Sequence, residues 1–209
     1  MRILSHRGYW KTVAEKNAPV AFERSFFSGF GTETDLRDCL GELVIAHDPP
    51  TQAAWRATEF FELHRRLGPG LPLALNIKAD GLQIMLLDLL TAYEVQDYFV
   101  FDMAIPDAAG YLRHGMRAFT RQSEWEPEPA YYAAAAGVWL DAFSSEWYDT
   151  DTIGRHLDQG KQVCVVSPDL HGREHRGLWD RLASSPIAKH PGLMLCTDFP
   201  EDARDVFHA

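Results

Sequence analysis

Cysteine is scarce in this chain: Cys39, Cys164 and Cys196 are the only three, and their spacing matches no metal-binding pattern. Such an odd, sparse set argues against a disulfide framework and fits a reducing cytoplasm. Positive charge is also short, with 20 Lys and Arg against 30 Asp and Glu, a formal net charge of −10. So acidic a chain is a poor binder of nucleic acid or anionic membranes by bulk electrostatics, although a local cationic pocket for one phosphate stays open to it. Long hydrophobic runs are missing too. The longest apolar helical pattern, residues 82–93, is interrupted by Asp88 and is too short to span a bilayer, so no stable membrane insertion is expected. No apolar core precedes His6, and a cleaved leader, which would remove that residue, is not expected. There is no low-complexity stretch or linker, and the 46% hydrophobic content suits a sizeable core in one domain.

What is present is concentrated in residues 31–48, GTETDLRDCLGELVIAHD. Residues i and i+2 of a strand point to one side, so Glu33 and Asp35 present their carboxylates together. Two acids converging on one face repel unless a cation lies between them, and a hard divalent ion such as Mg²⁺ or Ca²⁺ is the usual solution. Alone, Glu-x-Asp reads as the solvated edge of a strand; its neighbours change that reading. His6-Arg7-Gly8 follows the apolar start Ile3-Leu4, His47-Asp48 closes the run 43–46, and residues 73–82 deliver Asn76 and Lys78, again at i and i+2. Polar groups at the carboxyl ends of several parallel strands are how an α/β barrel builds a site.

Strand-like and helix-like segments alternate along the whole chain. Strands are expected at 2–5, around 33–35, and at 73–77, 98–101, 116–120, 138–140, 162–166 and 193–196. Helical spacing is clearest at Leu82, Met85, Leu86, Leu89, Leu90 and Tyr93. Further helices are expected after Asn17 as N-cap, at 58–67, 104–114, an Ala-rich 130–136, 151–159, 178–183 and 200–207. Eight such units leave no room for a second domain. The expected fold is a compact (β/α)8 TIM barrel, a single domain over residues 1–209, near the lower size limit of that architecture.

His-Arg-Gly, then Glu-x-Asp with an apolar run into His-Asp, then a strand leading to Lys78, resembles the glycerophosphodiester phosphodiesterases across essentially the whole chain. The resemblance implies a phosphoric diester hydrolase acting on a small-molecule phosphodiester. It places His6 and His47 on either side of the scissile phosphate, and makes Glu33 and Asp35 acidic ligands of a divalent cation, Mg²⁺ or Ca²⁺. It further implies attack by the hydroxyl adjacent to the phosphoester, giving a cyclic phosphate that water opens. The related venom-type phospholipases D largely stop at the cyclic product. The residues themselves suit this chemistry. Two histidines can share the base and acid roles near neutral pH, in an order the sequence leaves open. Arg7 offers a fork of donors to phosphate oxygens and Lys78 a point charge, while buried ion pairs with Glu33 or Asp35 are compatible with the same roles.

The chain departs from the family pattern in two places. Asn76 stands where the usual third metal ligand, an acid, precedes the lysine by two residues; its amide oxygen can bind a hard cation but brings no charge. Glu15-Lys16-Asn17 only approximates the usual acidic element after the first strand. Asp102, Glu124 and Asp141, at later strand ends, are spare candidates for a ligand or a substrate hydroxyl, or else loop caps. The polar loop 167–176 is expected at the same barrel mouth. Two other functions remain in view: a lyase that releases the cyclic phosphate, and a silent barrel that binds a phosphorylated metabolite. Retention of both histidines and both acids argues against silence.

Overall fold

The computed structural model describes residues 1–208. In chain order its elements are β1 (Arg2–His6), α1 (Pro19–Phe27), β2 (Gly31–Cys39), β3 (Glu42–Ile45), β4 (Trp55–Arg56), α2 (Ala57–Leu67), β5 (Leu73–Ile77), α3 (Gln83–Ala92) and β6 (Tyr98–Phe101). They continue with α4 (Ile105–Arg113), β7 (Phe119–Gln122), β8 (Gly137–Leu140), α5 (Thr150–Asp158), β9 (Gln162–Val166), α6 (Arg176–Ser184), β10 (Leu193–Thr197) and α7 (Pro200–Phe207).

Eight of the strands run parallel around a ring. β1 pairs with β10 and β2, β2 with β5, and β5 with β6; β7 pairs with β8, β8 with β9, and β9 with β10. Between β6 and β7 the ring is joined by one parallel bridge, Val100–Ala118, where the Val100 amide donates to the Arg117 carbonyl at 2.9 Å. This seam is the narrowest contact in the barrel wall. β3 and β4 are antiparallel additions that extend the outer end of β2.

Side-chain alternation divides each strand between two cores. Phe99, Phe101, Phe119, Trp139, Cys164, Val166 and Cys196 point into the barrel, where Phe99 stacks on Phe119 at 3.8 Å and Phe101 on Trp139 at 3.9 Å. Val100 faces the opposite way, into the layer beneath α1–α4, and Val163 and Val165 into the layer beneath α5–α7. Cys164 and Cys196 are thus barrel filling: burial pushes both thiols well above their ordinary range, and neither forms a disulfide. Among the described residues, no helix is long and apolar enough to cross a membrane.

Most expected elements form, with ends shifted by a few residues. The Ala-rich stretch 130–136 does not become a helix. Pro127 and Pro129 precede it, and Tyr131 takes a left-handed φ of 54°, leaving isolated turns instead of a continuing hydrogen-bond ladder. Seven alanine-rich residues are too few to overcome the cost of helix nucleation without tertiary support. The first helix also starts later than expected: its N-cap is Ala18, and Asn17 has another task.

Candidate active site

Strand register assembles the site. His6 lies opposite Glu33 in the β1–β2 pairing, and Asn76 opposite Asp35 in the β2–β5 pairing. Two successive rows across three adjacent strands, His6 with Glu33 and Asp35 with Asn76, therefore form one polar layer, with His6 and Asn76 at or next to the carboxyl ends of β1 and β5. The two acids are almost fully buried. His6 Nε2 is 3.9 Å from Glu33 Oε2, and Asn76 Nδ2 donates to Glu33 Oε1 at 3.2 Å.

The turn after β1 closes around this layer. Arg7 has a left-handed backbone, φ 57°, which lets its amide donate to the Glu33 carboxylate at 3.2 Å while its Nε lies 2.9 Å from Asp35 Oδ2. Gly8 follows at φ 82°, and a Cβ there would fall 2.7 Å from Ala21 Cβ, so the third position of His-Arg-Gly has no room for a side chain. Asn17, at φ 60°, donates Nδ2 to Asp35 Oδ2 at 2.8 Å and accepts from Thr34 Oγ1 at 3.0 Å. Just past β5, Lys78 Nζ lies 3.7 Å from Asp35 Oδ1 and donates to Asp102 Oδ2 at 3.2 Å. Asp102, left-handed at φ 70°, also pairs with Arg121. The expected ion pairs of Arg7 and Lys78 with an acid are present, both on Asp35.

Burial beside Asp35 pushes the Glu33 carboxyl above its ordinary range, against the pull of His6, Arg7 and Lys78. Burial likewise lowers Lys78, resisted by Asp35 and Glu33. Two buried oxygens of the layer, Asp35 Oδ1 and Asn76 Oδ1, accept no hydrogen bond. Among the described residues no cluster of three His, Cys, Asp or Glu side chains has the makings of a metal site. Once the Asn76 amide oxygen is counted, Glu33, Asp35 and Asn76 supply three hard oxygen donors, two of which have an oxygen that accepts no hydrogen bond. That donor set fits a divalent cation such as Mg²⁺ or Ca²⁺.

His47 is placed differently. The Ala46 amide donates to the Asp35 carbonyl at 3.1 Å, so the chain leaves β3 at the level of the acid pair. The His47 side chain is 45% exposed, with Nδ1 2.8 Å from Asp48 Oδ1. Among the described residues it has no hydrogen bond or ion pair with Glu33, Asp35 or His6. Six of the seven candidate residues are thus joined by direct contacts, and His47 sits on the rim. Glu124 caps a loop by accepting from the Phe143 and Ser144 amides, and Asp141 receives His171 Nε2 at 2.7 Å.

One residue was overlooked in the sequence. Asp198, just past β10, holds His6 Nδ1 at 2.7 Å, and Lys16 Nζ and Trp10 Nε1 also reach it, at 3.5 and 3.3 Å. Burial raises its carboxyl, but the His6 bond and charge, together with Lys16, outweigh burial and hold it below the usual range. The amide of Asp198 is fixed by Asp169 Oδ2 at 2.8 Å, an anchor from the 167–176 loop. Asp198 was legible in principle, as a polar residue ending an apolar strand, had β10 been extended through Thr197.

Comparison of the sequence with protein-family models and with curated proteins found no match. Comparison of the structure did. A glycerophosphodiester phosphodiesterase from Agrobacterium tumefaciens aligns over 100% of both chains with a TM-score of 0.77 at 15% identity. An Oleispira antarctica phosphodiesterase in complex with the product sn-glycerol-3-phosphate covers 100% of this chain and 97% of its own, with a TM-score of 0.69 at 13% identity. A glycerophosphodiester phosphodiesterase from Thermotoga maritima covers 97% and 96%, with a TM-score of 0.65 at 13% identity. The chain has the glycerophosphodiester phosphodiesterase fold. That fold runs through the full length of these alignments.

Proposed function

We propose that the chain is a metal-dependent phosphodiesterase that hydrolyses glycerophosphodiester-like substrates to an alcohol and a phosphomonoester. One observation carries this reading: a buried carboxylate pair and the Asn76 amide, with Asp35 Oδ1 and Asn76 Oδ1 accepting no hydrogen bond, lie between two cationic side chains and a histidine oriented by Asp198. The fold shared with solved phosphodiesterases, one of them holding sn-glycerol-3-phosphate, supports it.

Glu33, Asp35 and Asn76 would hold the divalent cation. Such an ion polarises a phosphoryl oxygen and lowers the pKa of an attacking hydroxyl. Arg7 and Lys78, already in the layer, bind the non-bridging phosphate oxygens. Asp198 on Nδ1 fixes the His6 ring and leaves Nε2 for proton transfer. His47 is the second proton-transfer group, working from the rim once a phosphate lies between it and His6. In the first step the hydroxyl adjacent to the phosphoester attacks phosphorus as one histidine takes its proton; the P–O bond to the departing alcohol breaks and the other histidine protonates it. Water then opens the cyclic phosphate with the two roles exchanged. The three unpaired cysteines support the cytoplasm as the place of action.

The half-exposed His47 and the uncharged Asn76 favour a second reading, a barrel that binds a phosphorylated metabolite without turnover. Turnover of an aryl phosphodiester with and without Mg²⁺ or Ca²⁺, followed by phosphorus NMR of the products from a glycerophosphodiester, separates the possibilities. A phosphomonoester is expected. A cyclic phosphate as sole product would assign a lyase, and phosphate binding with no divalent-dependent turnover would assign the silent barrel.

A further inference from the structure

The missing helix between β7 and β8 leaves a groove of about 650 Å³ between α4 and the 123–136 connection, along the β6–β7 seam. Much of its wall is apolar, with Met103, Ala108, Leu112, Ala118, Tyr131 and Ala135 among the lining residues. Asp102 and Arg121 line the same groove. They pair with each other, and Asp102 accepts from Lys78, which lies 3.7 Å from Asp35. The groove therefore begins two side chains away from the carboxylate layer.

We propose that this groove binds the alkyl chain of a single-chain amphiphilic phosphodiester, whose phosphate sits at Arg7 and Lys78. The proposal rests on the phosphodiesterase reading and names its substrate class. Shape and polarity select the occupant. The groove is concave and of the size that takes a small molecule, whereas a protein partner needs a broad surface. Glu126 and Glu128 on its lining disfavour an anionic occupant and leave the phosphate to the cationic residues of the site. Ile105, 56% exposed at the start of α4, and Ala108 one turn later offer uncovered apolar surface to a chain. An extended alkyl segment takes the place against Ala118 and Leu112 that a helix would otherwise fill.

Two measurements test this. Glycerol 3-phosphate esters of ethanol, hexanol and decanol, below micellar concentrations, are compared for kcat/KM; ethyl- and decylphosphocholine, which lack the adjacent hydroxyl, are compared for binding by calorimetry. A buried methylene is worth up to about fourfold in affinity, so the decyl compounds should exceed the ethyl ones by at least about tenfold in both assays. Ala108→Trp, which fills the groove, should abolish that preference while leaving turnover of the ethyl ester unchanged. Ile105→Asp serves the same purpose if the bulkier variant does not fold. Equal handling of ethyl and decyl compounds by the wild type would overturn the groove while leaving phosphodiesterase activity standing. Decyl-selective binding lost in the variants, with no ester turned over, would support the groove and overturn the activity. A dimer dissociated by either substitution, with no chain-length preference, would assign the groove to a second copy of the chain and overturn the proposal.

Discussion

Asn76→Asp tests the candidate metal layer through stability as well as chemistry. In the native layer Asn76 Nδ2 donates to Glu33 Oε1 across 3.2 Å. The substitution removes a hydrogen bond to a charged group, about 1.5–3 kcal/mol, and sets a carboxylate against a carboxylate. Two unit charges 3.2 Å apart repel by about 5 kcal/mol at an effective dielectric of about 20. Protonation of one of them limits that cost. Holding a carboxyl with an ordinary pKa near 4.3 protonated at pH 7 costs about 4 kcal/mol. The shared proton also replaces the lost hydrogen bond, and Glu33 already resists ionisation, so the net expected loss without divalent ion is about 2–4 kcal/mol. For a chain of this size that lowers Tm by about 4–16 °C. The loss should shrink as pH falls and the shared proton becomes easier to bind. Mg²⁺ or Ca²⁺ should restore most of it, because the third carboxylate then faces a cation, and the variant should bind metal more tightly than the wild type in the absence of substrate. Thermal unfolding in chelator and in graded divalent ion, with calorimetric metal titrations, reads both effects. If Asn76→Asp matches the wild type in chelator and in metal affinity, Asn76 is outside the ligand layer, and Asp102 becomes the next candidate.

His6→Ala and His47→Ala should each lower kcat by about 10²–10⁴ in steady-state assays, with little change in phosphate-analogue binding; near-normal turnover in His47→Ala would leave the rim histidine without a catalytic role. Gly8→Ala places a methyl group 2.7 Å from Ala21 Cβ at a left-handed φ, and denaturant unfolding should show a loss of at least about 2 kcal/mol. His64 is buried with Nε2 on the Leu71 carbonyl at 2.9 Å, and burial holds it below its ordinary value of 6.5. The unfolded chain then takes up a proton that the native state refuses, so stability should fall as pH drops below about 6.5. His64→Gln should flatten part of that slope in thermal melts at pH 7.5 and 5.5.

The layered order of strands and helices could be read from sequence because both periodicities are strong. Leu82, Leu86 and Leu90 recur at helical spacing and are all buried, and strands such as 98–101 are short and apolar. The 130–136 stretch misled because alanine content reports propensity, while Pro127, Pro129 and the left-handed Tyr131 decide what the backbone can do. For the site, period-two alternation was enough to pair Glu33 with Asp35 and Asn76 with Lys78. It could not reveal register, which sets His6 opposite Glu33, nor the contact of Asp198 with His6 across 192 residues of chain. It could not show that His47 turns toward Asp48 either. Those facts belong to tertiary pairing, where local pattern carries no information.

Three of the six non-glycine residues with left-handed backbone among the described residues are Arg7, Asn17 and Asp102, and all three hold Asp35 or Lys78. A backbone in this region favours glycine, most strongly at Arg7, since Asn and Asp tolerate it better. Thermal tolerance and chemistry therefore pull these positions in opposite directions. A library of variants sorted only for heat resistance should drift toward glycine there, gaining backbone ease while discarding the groups that organise the acid pair. Sorting for activity should hold all three in place at a standing penalty in robustness. The turn after β1 is where improvement of this protein by stability alone would first erode what it does.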